Sequence, residues 1–64
     1  MHELGIAQSA LEAVSAEAAR HPGERPTRLA MRIGELTAID PDALRFAFEA
    51  LTLDTELEGL QLEI

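Results

Sequence analysis

Cysteine, lysine, tyrosine and tryptophan are all missing from this chain of 64 residues. Without cysteine there is neither a disulfide nor a thiolate zinc site. Without lysine, and with five arginines scattered along the chain, there is no basic patch of the kind that holds nucleic acid or an anionic membrane. The formal net charge of −7 repels both. The only aromatic residues are Phe46 and Phe48, so the core must be built from Leu, Ile, Val, Met and Ala. No apolar run approaches the length of a membrane span, and no charged segment leads into an apolar one as in a signal peptide. The expectation is an acidic, soluble, cytoplasmic protein.

Catalytic groups are scarce as well. There is no glycine-rich phosphate loop. The serines, Ser9 and Ser15, have no base paired with them at sequence level, and His2 and His21 stand far apart. No nucleophile, base and orienting group come together, so the chain is not read as an enzyme. Its length allows one domain. A chain this short buries only about 60% of its unfolded surface, and the usual remedies are disulfides, a metal or a partner chain.

What is present begins at the amino terminus, Met1-His2-Glu3. The α-amine of Met1, the backbone nitrogen of His2 and the imidazole of His2 can close a five-membered and a six-membered chelate ring on one ion. Planar nitrogen ligands suit Ni(II) or Cu(II) better than Zn(II), which prefers a tetrahedron. The carboxylate of Glu3 is next in line. The amine and the imidazole must be unprotonated to bind, with ordinary pKa values of about 7.7–8.0 and about 6.5. The backbone nitrogen must also lose its proton, so affinity should fall steeply below about pH 6.5.

Four elements follow in order. Ala7, Ala10, Leu11, Val14 and Ala18 recur at helical spacing and predict a helix over 6–20, with an Ala-rich stripe that lets a neighbour pack close. His21-Pro22-Gly23 ends it, since proline cannot continue a helix and disfavours helical geometry before itself. Residues 24–27, with Pro26, read as a loop. Residues 28–35 alternate: Leu29, Met31 and Ile33 point one way, Arg28, Ala30, Arg32 and Gly34 the other, which predicts a strand with one buried face. Asp40-Pro41 starts a second helix, with Asp40 at the N-cap, Pro41 at the first helical position and Asp42 in the first turn. Its stripe is Leu44, Ala47, Phe48 and Leu51, widened by Ala43, Phe46 and Ala50, and it runs to Leu51 or Thr52. Gly59 opens a second strand, with Leu60, Leu62 and Ile64 on one side and Gln61 and Glu63 on the other.

The helix–strand–helix–strand order predicts an α+β fold with parallel strands and both helices on one sheet face. Two strands make a thin sheet. The apolar alternation is still running at Ile64, which points to truncation, with a closing strand supplied by missing sequence or by another chain.

Several of these segments occur together in one known family. Met1-His2-Glu3-Leu4, Ile6-Ala7-Gln8-Ser9, Arg32-Ile33-Gly34-Glu35-Leu36, Asp40-Pro41 and Leu44-Arg45-Phe46-Ala47-Phe48-Glu49 appear in one order. The set resembles the nickel-binding domain of the HypA/HybF family, metallochaperones of nickel–iron hydrogenase maturation. The resemblance covers essentially the whole chain. It implies a nickel domain followed by a zinc domain on two Cys-x-x-Cys pairs, after which the family's chain returns to add the last strand of the first sheet. This chain departs from that pattern by ending before any cysteine. No zinc is expected in it, and residues 1–64 are expected to be a truncated nickel-binding domain. The unpaired sheet edge invites a homodimer or a domain swap.

The resemblance makes His2 the leading metal ligand. Glu3 can ligate through its carboxylate or its backbone nitrogen, or accept a hydrogen bond that orients His2. Asp40 falls where the resemblance suggests an acidic group near the nickel, while its N-cap position accounts for it without a metal. Glu35 can neighbour the amino terminus or be a solvated strand end. His21 suits the negative end of the first helix. Met31 is read as core, Arg28, Arg32 and Glu63 as the polar face of the sheet, and Glu12 and Glu17 as a solvated helix face.

Two functions compete. The first is a nickel carrier that passes Ni(II) to a hydrogenase, or in some organisms urease. The resemblance implies the GTPase HypB and the hydrogenase large subunit as partners. The first helix carries the terminus, so a partner docking on that helix could gate transfer. The second is a metal-free interaction module that associates through the open sheet edge. A copper site is a third reading, since copper stands above nickel in affinity order.

Overall fold

The computed structural model describes residues 2–32 and 38–64. Four elements follow one another: α1 (His2–Ala19), β1 (Arg28–Ala30), α2 (Pro41–Thr52) and β2 (Gln61–Glu63). The strands pair in parallel, with Arg28 opposite Gln61, Leu29 opposite Leu62 and Ala30 opposite Glu63. Among the described residues the sheet is two-stranded and not closed. This is the expected α+β arrangement with parallel strands.

Helix α1 starts four residues earlier than its apolar stripe suggested. The stripe begins around Ile6, but helix needs only a stabilised first turn, not an apolar one. Glu3 is that turn's acidic residue and suits its positive end. Ala7 is fully buried and Leu11 nearly so, while Ala10, Val14 and Ala18 are half-buried. The helix stops at Ala19, and Gly23 takes φ +88° in the turn that follows, a conformation closed to most side chains.

Helix α2 starts and stops as its local residues require. Asp40 has extended backbone angles (φ −86°, ψ 115°), and Pro41 supplies a first turn that needs no N–H. Leu44, Ala47, Phe48 and Thr52 are buried. The hydroxyl of Thr52 donates to the Phe48 carbonyl at 2.8 Å, so the buried oxygen is satisfied. Asp54 at φ 62° turns the chain out of the helix in the left-handed region.

Two parts of the expected apolar stripe are corrected. Phe46 is 72% exposed, and Ala50 is exposed as well. Phe46 lies two residues from Leu44, roughly 200° around the helix. With Leu44 at the centre of the core, Phe46 has to face away from it.

The strands are shorter than their alternation. Residues 31 and 32 lie outside β1, although the Met31 N–H still donates to the Glu63 carbonyl at 2.7 Å. Ile33, Gly34 and Glu35 lie outside the described residues. Gly59 sits in a turn at φ +89° before β2, and Ile64, expected to face the core, is 43% exposed.

The core lies between the helices and over the sheet. Ala7 and Leu11 of α1 meet Leu44, Ala47 and Phe48 of α2, and Leu29, Met31, Leu60 and Leu62 pack beneath. Leu44 is 0% exposed, and burying it contributes about 1.5–3 kcal/mol. On the other sheet face Arg28 and Glu63 pair at 3.5 Å, as the alternation predicted.

Candidate metal site

The first turn of α1 carries two of the sequence-predicted ligands, His2 and Glu3. Helix begins at His2, so the first N–H groups of the tripeptide segment have no helical carbonyl to bond. The backbone nitrogen of His2 is therefore not committed to the helix ladder. A nitrogen that gives up its proton there breaks no helical hydrogen bond. The positive end of the helix dipole also stabilises the resulting amide anion, although it opposes a bare dication. Met1 lies outside the described residues.

Glu3 is half-buried and turned toward α2. Its Oε2 accepts a hydrogen bond from the backbone N–H of Asp40 at 3.1 Å. The two acidic residues singled out from the sequence are thus brought together, although 37 positions separate them. Asp40 is itself engaged with α2: its Oδ1 accepts from the N–H of Asp42 at 2.9 Å and from that of Ala43 at 3.5 Å. The N-cap reading of Asp40 is what this geometry provides. One carboxylate oxygen of each residue is thereby committed to a backbone N–H.

The other singled-out residues lie elsewhere. His21 is exposed at the far end of α1, with its Nε2 3.0 Å from Glu17 Oε2 and its Nδ1 4.0 Å from Glu24. An 18-residue helix separates it from the amino terminus, about 27 Å at 1.5 Å per residue. The two histidines therefore do not share a site. Glu12, Glu17 and Arg32 are exposed and Met31 is half-buried against the core. Glu35 lies outside the described residues. Among the described residues no three His, Cys, Asp or Glu side chains form a group able to hold a metal ion.

The link between Glu3 and Asp40 has no local sequence signal. Each residue has a sufficient local role, as a first-turn acid and as an N-cap. Only the side-by-side packing of α1 and α2 brings them together.

Residues 1–64 match the family described as "Hydrogenase/urease nickel incorporation, metallochaperone, hypA". The chain is similar to the hydrogenase maturation factor HypA of Methanopyrus kandleri, 45% identical over all of this chain and 45% of that protein. It is 44% identical to the HypA of Geotalea uraniireducens, covering 56% of it. It is 48% identical to that of Crocosphaera subtropica, covering 54%. The chain spans about half the length of the curated relatives it matches.

Proposed function

The chain belongs to the HypA family of nickel-incorporation metallochaperones, maturation factors rather than enzymes, and from that premise we propose that it carries Ni(II) at its own amino terminus. The α-amine of Met1 and the backbone and imidazole nitrogens of His2 hold the ion as cargo. Glu3 and Asp40 supply negative charge beside it. Residues 1–64 act in this reading as a nickel-binding domain. The recipient is a hydrogenase, with urease as the alternative that the family's description includes. The GTPase HypB and the hydrogenase large subunit are the proposed partners, in the cytoplasm.

The observation that supports this reading is the position of His2 at the start of α1. A carrier needs ligands without a structural duty, and the backbone nitrogen of His2 has no helical carbonyl to bond. A chelate built on them can form and dissolve without unfolding the domain.

The test is a Ni(II) titration of the untagged chain near neutral pH, followed by visible absorption and mass. His2→Ala and an amino-terminally acetylated form are measured alongside. One ion per chain, with a planar-type spectrum lost in both variants, is the expected result. Equal binding in all three forms overturns the amino-terminal site.

The second reading, association through a sheet edge, is favoured by a difference between the two edges. On β2 the Leu62 carbonyl already accepts from Arg45 Nη1 at 2.8 Å. On β1, Arg28 and Ala30 alternate with the residues that bond β2, so their backbone groups point to the open side. A homodimer would form along β1. Ala30→Pro removes an outward N–H, so sedimentation should show a dimer lost in that variant. A monomer in the unsubstituted chain sinks this second reading and leaves the nickel site untouched.

A further inference from the structure

The most exposed large apolar side chain among the described residues is Phe46, and Leu53 follows at 60% exposed. Phe46 lies on the outer face of α2, and Leu53 is the residue that caps its carboxyl end. Asp42, Phe46, Glu49 and Leu53 recur at i, i+4, i+7 and i+11, one line along the helix, and Ala50 stands beside it. This line is opposite the buried stripe of Leu44, Ala47 and Phe48. Nothing in the packing of the domain requires an aromatic there.

The charge of the face is one-sided. Asp42 and Glu49 lie within it, and Asp54 follows Leu53 directly. The only cation of the helix, Arg45, reaches away to the Leu62 carbonyl at the sheet. None of the three carboxylates forms an ion pair among the described residues. The face thus combines two apolar anchors about 10 Å apart with unneutralised acid on either side.

We propose that this face of α2 is the docking surface for a cationic amphipathic helix of a partner protein. Phe46 and Leu53 are the anchors, since aromatic side chains in the centre of a patch carry most of the energy of an interface. Two turns between anchors match the i, i+7 spacing of one helix lying on another. Arg or Lys of the partner meets Asp42, Glu49 and Asp54. A second copy of this chain is a poor occupant, because it brings the same acids against one another in a chain of net charge −7. Nucleic acid and anionic lipid are repelled for the same reason. The surface does not depend on the nickel reading, and loss of one leaves the other standing.

The experiment uses a synthetic helical peptide of Leu and Lys, roughly four turns long, with a Leu/Glu peptide of equal length as control. Binding is measured by fluorescence anisotropy and mapped by amide chemical shifts on the labelled chain. The Leu/Lys peptide should bind, with shifts concentrated between Asp42 and Asp54, and the Leu/Glu peptide should not. Phe46→Ser, whose helicity is checked by circular dichroism, should weaken binding about tenfold or more, and Leu53→Ser should do so independently. Unchanged affinity in both variants overturns the proposal, as do shifts spread over acids away from α2 such as Glu12 and Glu56. Self-association of the unsubstituted chain that disappears in Phe46→Ser also overturns it, because the occupant is then a second copy.

Discussion

Glu3 of the first helix turn accepts a hydrogen bond from the backbone N–H of Asp40, at 3.1 Å. The bond ties the start of α1 to the N-cap of α2. It joins the two acidic residues proposed to supply charge near the metal. The structural role of the pair and its proposed role in cargo binding can be separated by substitution.

Glu3→Ala removes the acceptor for the Asp40 N–H. The bond lies at the surface, so the loss should be about 1 kcal/mol. In a domain of this size that lowers Tm by about 4–8 °C. Glu3→Gln keeps an acceptor oxygen and should recover much of it. Thermal melts followed by circular dichroism decide the matter, and equal melting of Glu3→Ala and the unsubstituted chain contradicts the tie.

Asp40 can be tested for two roles at once. Asp40→Asn retains an N-cap oxygen for the Asp42 and Ala43 amides, so stability should change by less than about 0.5 kcal/mol. Its lost charge should lower Ni(II) affinity a few-fold, roughly what one carboxylate contributes at short range in a wet site. Asp40→Ala loses the cap too and should cost about 1 kcal/mol in addition. Ni(II) affinity identical in the chain and in Asp40→Asn removes Asp40 from the site and leaves it as a cap.

Proton competition sets the pH dependence of nickel binding. Below about 6.5 the free form holds protons on the amine, the imidazole and the amide, and all three leave on binding. Affinity should then fall about a thousandfold per pH unit. Between about 6.5 and 7.7 the imidazole is already neutral, two protons leave, and the slope is about a hundredfold per unit. Calorimetry in buffers of different ionisation heat counts the protons directly. A release of one or none near pH 6 is incompatible with the three-nitrogen chelate.

Leu44 is the packing centre, with 0% exposure. Leu44→Ala should cost about 2–5 kcal/mol. A domain of 64 residues without a disulfide has little reserve, so the variant should lose its cooperative melt. A sharp transition within a few degrees of the unsubstituted chain would show that the core is centred elsewhere.

Helix and strand order was legible because it rests on local chemistry. Asp40-Pro41 marks a helix start through capping and a missing N–H, and Thr52 ends that helix where the stripe does. The alternation of Arg28, Leu29 and Ala30 and of Gln61, Leu62 and Glu63 matches the burial found for both strands. The first turn of α1 was missed because its apolar stripe starts later. Phe46 was misplaced because composition favours burying an aromatic, whereas helix geometry turns this one outward.

By itself the sequence determined the element order, the cap of α2 and the His2 on which the proposed amino-terminal chelate rests. Each of these follows from residues close together in the chain. The tertiary structure alone decided that Glu3 reaches Asp40 and that Arg45 covers the Leu62 carbonyl. Those outcomes depend on how α1, α2 and the sheet pack, and packing joins residues that no local pattern relates.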